Sequence, residues 1–279
     1  MAATQIVPGL YAIPVGPVNT FLLESSDGCT LIDSGLLTHD EIDCLRPRVY
    51  EELASGAQDD EYDEPEDNPP VRFVKVHDAY TLTPLGESLL AARRGAEGAI
   101  VIVRDPRDVA PSLANHNGID IDAAIAFMGD HEAGFCVKTN RQHNQLRQKL
   151  PGWTGHIASW LDQSDIPVHL IRYEDLQADA LSALRGALAF AGRAASDDEM
   201  KRAVAFADFA QLRQQEQSKG FREAPRPHTA GNFFRRGTAG GWRDELTAEQ
   251  AARIETSHAV TMRRLGYELS SEPALARTG

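Results

Sequence analysis

An arginine stands directly after a wholly apolar run of the sequence. Residues 99–103 read AIVIV, Arg104 follows them, and Ser112 comes eight positions after the arginine. If Asp105 and Pro106 begin a helix that folds back beside the strand, Ser112 lies about two turns into it. A guanidinium can hold a phosphate through two parallel hydrogen bonds, and a nearby hydroxyl can reach the same phosphate. The spacing therefore predicts an anion site at the end of this run.

Two other apolar runs also lead into residues that can do chemistry. Residues 73–76 (FVKV) contain Lys75 and lead into His77, and residues 168–171 (VHLI) lead into an arginine and Tyr173. Ligands of open α/β sheets bind at the carboxyl ends of the strands, so these side chains are expected at one edge. Taken singly, a post-strand arginine usually forms a surface ion pair and a lone histidine is more often structural. The convergence of the three runs favours a functional site.

Strands that alternate with helices predict an α/β fold, with a parallel sheet covered on both faces by helices. The strands are those three apolar runs, and a long helix is expected around 121–150. Two further helices are predicted to begin at capping boxes, and the second to end at Gly266; the boxes are Ser196 with Glu199 and Thr247 with Gln250. This main domain is expected to span residues 38–268, and residues 269–279 are expected to form a flexible tail.

The first 37 residues have a different pattern. The short β-type runs TQIVPGLYAIPV, NTFLLES and CTLIDSG are separated by Pro-Gly, Gly-Pro and Asp-Gly turn signals. They predict a β-meander. Thr38 and Glu41 then form a possible capping box that would begin the first helix of the main domain.

The composition excludes several classes of protein. The 279 residues carry a net charge of −13, which disfavours nucleic acid and anionic membranes as partners. No apolar run is long enough to cross a membrane, and the N-terminus lacks the pattern of a signal peptide. Three scattered cysteines suit a reducing compartment, so a cytoplasmic location is expected. The nine histidines show no metal-binding spacing, and no metal is expected.

Read together, the motifs resemble those of the sulfotransferases that use 3′-phosphoadenosine 5′-phosphosulfate (PAPS). The segment RDPRDVAPS, from Arg104 to Ser112, resembles the 3′-phosphate-binding motif of that family. Lys75 and His77 in VKVHDAY are similar to its lysine and catalytic histidine. Tyr173 in RYEDL is similar to its adenine-contacting tyrosine. The resemblance implies a P-loop-like sulfotransferase fold and PAPS as co-substrate.

A late segment, FFRRGTAGGWRDELT, resembles the RKGxxGxW loop that closes over the nucleotide, with arginine in place of the lysine. The resemblance implies that sulfuryl transfer goes to a hydroxyl or amine of a small-molecule or saccharide acceptor. His77 would take the acceptor's proton, and Lys75 would stabilise the sulfuryl oxygens and the leaving phosphate. The 3′-phosphate would be held by Arg104, Ser112, Arg235, Arg236 and Gly237.

The pattern departs from the family at its beginning. The PKSGTTW-type loop that holds the 5′-phosphosulfate is absent, and residues 1–36 instead resemble the first strands of a metallo-β-lactamase-type hydrolase without its HxHxDH motif. Three explanations stay open. The join near residues 36–38 is a gene fusion or a sequence-assembly error, or residues 30–33 replace the missing strand, or the chain is a non-catalytic nucleotide-binding remnant.

The missing loop implies impaired turnover, since single charge-stabilising donors each contribute about 10²–10³ in rate. The alternative is a non-catalytic protein that binds adenosine 3′,5′-bisphosphate. A metal-dependent hydrolase is suggested only by residues 1–36, and a P-loop kinase lacks its GxxxxGK[ST] motif. Oligomeric state is open, because a sheet edge left exposed would favour self-association into a homo-oligomer.

Overall fold

The computed structural model describes residues 73–88, 96–137, 147–220 and 232–270, together with the backbone of four strands before residue 33. The predicted helix start at Thr38 lies outside the described residues. The four early strands form an antiparallel sheet in chain order and confirm the predicted β-meander. They are β1 (Thr4–Val7), β2 (Leu10–Val15), β3 (Val18–Ser25) and β4 (Gly28–Ile32).

The strand β4 is used inside this meander. It pairs antiparallel with β3, with Phe21 opposite Ile32 and Ser25 opposite Gly28. The hypothesis that residues 30–33 replace the first strand of the parallel sheet therefore has no support in the strand pairing that the structure describes.

Two of the predicted parallel strands pair directly. The strand β5 (Ala99–Val103) runs parallel to β8 (Val168–Arg172), and their register places Val103 opposite Arg172. Val101 and Val103 of β5 are buried, as expected for an apolar strand, but Ile102 on the other face is 61% exposed. At this position the described residues bury one face of the sheet and leave Ile102 on the other face largely exposed.

The prediction of a third strand at residues 73–76 is wrong, because this segment is irregular in the structure. Phe73 is 63% exposed and Val74 is 43% exposed, so strand formation here would bury little apolar surface. From Asp78 onwards the segment is buried, since Asp78 is 1% exposed and Ala79 is 0% exposed.

The helix α1 (Pro106–Asn117) follows β5, as the sequence predicts. Asp105 is its N-cap and accepts a hydrogen bond from the backbone of Arg107, while Pro106 occupies the first turn, where its missing N–H costs nothing. Gly118 ends the helix with φ of 64°, a left-handed conformation that glycine adopts readily.

The predicted long helix around 121–150 is much shorter in the structure. The helix α2 (Ile121–Gly129) ends where Asp130 turns extended. The strands β6 (Gly134–Phe135) and β7 (Gln148–Lys149) then pair antiparallel. A Cβ on Gly134 would lie 2.5 Å from the Gln148 carbonyl oxygen, so this close approach of two backbones requires glycine. Tertiary pairing thus overrides the helical pattern.

Six further helices and one 3₁₀ turn complete the described chain. Both predicted capping boxes are confirmed, at the starts of α6 (Asp197–Phe206) and α8 (Ala248–Arg264), and Gly266 follows α8 with φ of 77°. The elements are α3 (Gly152–Leu161), α4 (Tyr173–Ala178), α5 (Ala180–Phe190), α6 (Asp197–Phe206), α7 (Phe209–Lys219), the 3₁₀ turn (Gly241–Asp244) and α8 (Ala248–Arg264).

The apolar core lies between β5, α3 and α8. Ile254 and Met262 of α8 are fully buried and belong to one cluster with Val103 of β5 and with Trp153 and Trp160 of α3. The core continues past the last helix, since Leu269 is 6% exposed. None of the described helices is long and apolar enough to span a membrane.

A buried ion network ties α8 to the start of α1. The Arg107 guanidinium lies 2.6 Å from an Asp105 carboxylate oxygen and 2.7 Å from a Glu255 oxygen, and all three side chains are at most 9% exposed. The backbone and hydroxyl of Ser270 also donate to Glu255. The guanidinium therefore compensates two carboxylates that would otherwise be buried as isolated charges.

Replacement of Arg107 by alanine should destabilise the fold strongly. Asp105 and Glu255 would be left buried without their shared cation, which typically costs about 3–5 kcal/mol of unfolding free energy. Urea unfolding followed by circular dichroism measures the loss. Arg264→Ala is the matched control, since it breaks only the exposed Arg264–Asp162 pair and should cost less than about 1 kcal/mol. Equal losses in the two variants would contradict the assignment.

Candidate functional site

The register of the parallel strands brings Arg104 and Tyr173 together. Val103 lies opposite Arg172, so the residues that follow them leave the sheet side by side at its carboxyl edge. The Arg104 guanidinium carbon lies 4.5 Å from the centroid of the Tyr173 ring, within the range of a cation–π contact. Two of the sequence-predicted residues, 69 positions apart in the chain, therefore share one site.

The late segment, residues 233–247, contacts the same site. The Arg104 Nη2 donates to the Thr238 carbonyl oxygen at 2.9 Å. Gln177 on α4 donates through Nε2 to the Tyr173 hydroxyl at 2.9 Å and to the Gly237 carbonyl oxygen. Sequence analysis missed Gln177, which follows Tyr173 by one helical turn and carried no motif signal.

Gly237 is required by the shape of this loop. Its φ is 62°, and a Cβ built on it would lie 2.3 Å from the Phe209 ring of α7. The glycine therefore lets the loop pass close to α7 in a left-handed backbone conformation. This is a physical reason for the glycine that the motif contains.

An acid that sequence analysis missed anchors the end of the loop. Asp108, in the first turn of α1, accepts hydrogen bonds from the Gly240 N–H at 2.6 Å and from the Trp242 N–H at 2.7 Å. Burial raises the pKa of Asp108 above its ordinary value, although the two backbone donors oppose this effect. An acid in the first turn of a helix is common, and so its position alone does not indicate a contact with a distant loop.

Ser112 lies on the face of α1 along which the late segment runs. Asp108, Ser112 and His116 are spaced four residues apart and share one helical face. Asp108 holds residues 240 and 242 at one end, and the His116 ring contacts the Phe233 ring at 6.1 Å between centroids at the other. Ser112 is exposed between these two contacts. The helical spacing thus directs its hydroxyl towards the side of the helix that carries the loop.

The two adjacent arginines form ion pairs within their own segment. Arg235 donates to both carboxylate oxygens of Glu245, with 3.0 Å for its Nη2. Arg236 Nη1 lies 3.4 Å from an oxygen of Asp244 and 3.7 Å from one of Glu245. The structure therefore places these cations against Asp244 of the 3₁₀ turn and against Glu245, which follows it. To bind an anion they must share or exchange these partners.

The main chains of His77 and Arg104 both accept hydrogen bonds from side chains of α3. On α3, the Trp153 indole N–H donates to the Arg104 carbonyl oxygen at 3.2 Å, and His156 Nε2 donates to the His77 carbonyl oxygen at 3.0 Å. Burial lowers the pKa of His156, so this ring is neutral near pH 7. Trp153 and His156 are three positions apart on one helix, and such neighbours lie about 5–6 Å apart. The main chains of the two predicted site residues are therefore both hydrogen-bonded to the same turn of α3.

The side chains of Lys75 and His77 are both exposed. The next residue, Asp78, anchors their segment, because its carbonyl accepts from the Trp160 indole and its carboxylate accepts from the Lys149 N–H at 2.7 Å. This arrangement leaves the histidine ring accessible to a molecule in solution while its backbone is fixed.

The Arg104 side chain shows what the site can bind. Its Nε is buried, and within the part of the chain that the structure describes it has no hydrogen-bond partner. A buried donor without a partner costs free energy that an anion at the sheet edge would recover. The described residues contain no group of three or more His, Cys, Asp or Glu side chains suited to a metal ion. The geometry supports an anion site built on guanidinium and backbone groups.

A family model described as "Sulfotransferase domain" matches residues 57–266, which is most of the chain. The chain belongs to the sulfotransferase domain family. The resemblance stated from the motifs is thereby confirmed at the level of the family. The likeness of residues 1–36 to a metallo-β-lactamase-type hydrolase stays a prediction.

Individual relatives are distant. An amine sulfotransferase of Oryctolagus cuniculus is 26% identical over 204 residues, which are 68% of this chain and 61% of that protein. Cytosolic sulfotransferase 16 of Arabidopsis thaliana is 28% identical over 166 residues, which are 56% of this chain and 48% of that protein. The sulfotransferase domain described above thus spans about half to three fifths of the length of these relatives.

A solved structure shows the same fold. The crystal structure of retinol dehydratase in complex with androsterone and inactive cofactor PAP superposes with a TM-score of 0.51 and 18% identity. The match covers 84% of this chain and 68% of that chain. The P-loop-like α/β fold expected for a sulfotransferase domain is therefore confirmed.

The buried His258 beside Trp153 should make stability depend on pH. Burial lowers the pKa of His258 to about 4, whereas an unfolded histidine titrates near 6.5. Between these values the unfolded chain binds a proton that the folded chain does not. The free energy of unfolding should therefore fall with decreasing pH over this range, by at most about 1.4 kcal/mol per unit.

Urea unfolding between pH 7 and pH 4.5 tests this contribution. His258→Gln, whose amide can still hydrogen-bond to Thr154, should reduce the pH dependence in this window. His131→Gln, a change at an exposed position, is the matched control and should leave it unchanged. Identical pH profiles for wild type and His258→Gln would refute this role.

Proposed function

We propose that this chain binds the adenosine 3′,5′-bisphosphate part of PAPS and transfers the sulfuryl group to a hydroxyl or amine. The observation that carries the proposal is the convergence of three separate motifs on the Arg104 guanidinium. It stacks on Tyr173, donates to Thr238 and retains a buried Nε–H that has no partner in the part of the chain that the structure describes. Membership of the sulfotransferase domain family and the fold of the PAP-bound retinol dehydratase support the same assignment.

Nucleotide binding would use groups that converge on the sheet edge. Arg104 would bind the 3′-phosphate through its Nε–H and an adjacent N–H, in the bidentate geometry typical of guanidinium and phosphate. Ser112 and the Gly237 backbone would complete the phosphate site. Arg235 and Arg236 would turn from their carboxylate partners to the phosphate. Tyr173 would contact the adenine.

The transfer step would use the segment anchored on α3. His77 would accept the proton of the acceptor as the acceptor's oxygen or nitrogen forms a bond to sulfur. The bond between sulfur and the 5′-phosphate oxygen breaks, and adenosine 3′,5′-bisphosphate leaves. Lys75 would stabilise the charge on the sulfuryl oxygens and the leaving phosphate. The hydrogen bond from His156 to the His77 carbonyl would hold the base in place.

A second candidate function is nucleotide binding without turnover. It is favoured by the absence of a PKSGTTW-type loop from the 279 residues, since that loop supplies a lysine and backbone donors for the 5′-phosphosulfate. If the chain is an enzyme, its acceptor, a small molecule or a saccharide, is set by residues outside the phosphate site. We propose that residues 38–268 form the functional domain and residues 1–37 a separate β-meander.

Adenosine 3′,5′-bisphosphate should raise the thermal unfolding midpoint of the protein. At about 100 times the dissociation constant, ligand binding stabilises a fold by about 2.7 kcal/mol, which corresponds to several degrees. Arg104→Ala should abolish this rise in the midpoint because it removes the guanidinium that would bind the 3′-phosphate. Arg264→Ala, an exposed arginine of α8, is the control and should retain it. No rise in the folded wild type would refute nucleotide binding.

Turnover separates the two candidate functions. If the chain is an enzyme, sulfated product should form from PAPS and a panel of phenol, alcohol, amine and saccharide acceptors. His77→Ala should then lower kcat by about 10²–10⁴, the usual contribution of a general base, while nucleotide affinity stays unchanged. Binding without product in wild type would identify the non-catalytic alternative. Equal rates for wild type and His77→Ala would exclude this histidine as the base.

A further inference from the structure

The loop of residues 237–242 is held at both ends by different parts of the fold. At its beginning, the carbonyl oxygens of Gly237 and Thr238 accept hydrogen bonds from Gln177 and Arg104. At its end, the N–H groups of Gly240 and Trp242 donate to the two oxygens of Asp108. The first pair of bonds comes from the anion site itself, and the second pair comes from α1.

The Asp108 contacts lie in a protected environment. Asp108 is 4% exposed and Trp242 is 8% exposed. The guanidinium carbons of Arg107 and Arg243 lie 4.4 Å and 4.5 Å from the centroid of the Trp242 ring, so two cations contact the indole. Hydrogen bonds to a charged acceptor in such a site are stronger than those between neutral groups.

We propose that Asp108 is a positioning residue, which fixes the loop 237–242 against α1 and thereby sets the affinity of the site for the nucleotide. The inference rests on the proposed function, because the nucleotide is the ligand of that site. Asp108 acts through the loop and does not itself contact the phosphate, which its negative charge would repel.

The chemistry of the side chain fits this role. A carboxylate offers two acceptor oxygens, and each oxygen of Asp108 meets one backbone N–H. An asparagine of the same shape keeps one acceptor but turns an NH₂ group towards the other N–H, so one bond is lost and two donors face each other. With the end of the loop released, only the hydrogen bonds from Gln177 and Arg104 hold Gly237 and Thr238 beside the site.

The test compares Asp108→Asn with Asp122→Asn. Asp122 is likewise an acid in the first turn of a helix, α2, but it pairs with the exposed Arg253. The control therefore reproduces the loss of charge near a helix N-terminus without touching the loop. Amide hydrogen exchange measured by mass spectrometry reports on the peptide that contains Gly240 and Trp242. Isothermal titration with adenosine 3′,5′-bisphosphate reports on affinity.

We expect Asp108→Asn to accelerate exchange at this peptide while exchange in α3 and α8 stays at the wild-type rate. Its nucleotide affinity should fall on the order of 10- to 100-fold, the usual effect of losing a hydrogen bond to a charged group. Asp122→Asn should match wild type in both measurements. Unchanged loop exchange in Asp108→Asn, or faster exchange with unchanged affinity, overturns the proposal.

Two results distinguish this inference from the proposed function. If wild type binds no nucleotide, the proposed function fails and the affinity role of Asp108 fails with it, whatever the exchange data show. If wild type binds and only the Asp108 prediction fails, the proposed function stands. Should Asp108→Asn not fold, Asp108→Ser removes the carboxylate without opposing two donors and provides the same comparison.

Discussion

The parallel pairing of β5 with β8 is the interaction on which the candidate site depends. Val103 lies opposite Arg172, so Arg104 and Tyr173 directly follow the ends of two paired strands. Their side chains form a cation–π pair at this edge of the sheet. A slip of β5 by one residue would turn each of its side chains to the other face of the sheet. The burial of Val101 and Val103 against the core makes such a slip costly.

The cations of the site are balanced by buried or half-buried acids, which suits a protein with a net charge of −13. Asp105 and Glu255 surround Arg107, Glu245 pairs with Arg235, and Asp108 holds the backbone of the late loop. These acids fix the positions of the arginines and of the loop between them. Arg104 lies at the sheet edge, and its Nε has no hydrogen-bond partner among the described residues, which leaves a donor for an external anion.

The helix α3 connects the two halves of the proposed reaction. It binds the main chain after β5 through Trp153 and the main chain of His77 through His156. The segment of residues 73–77 gains its position from these contacts and not from a strand of its own. A proton acceptor and a phosphate site can therefore keep a fixed separation even though the sheet in the described part of the chain joins only β5 and β8.

The local signals of the sequence determined much of this protein. Asp105-Pro106 began α1, the capping boxes at Ser196 and Thr247 began α6 and α8, and the apolar runs marked β5 and β8, because each of these features depends on neighbouring residues. The motifs also identified the residues that meet at the sheet edge.

Only the tertiary structure decided the rest. It ended α2 at Gly129, left residues 73–76 irregular, and paired Asp108 with residues more than 130 positions away. Such outcomes depend on which surfaces become buried together, and no local pattern of residues contains that information.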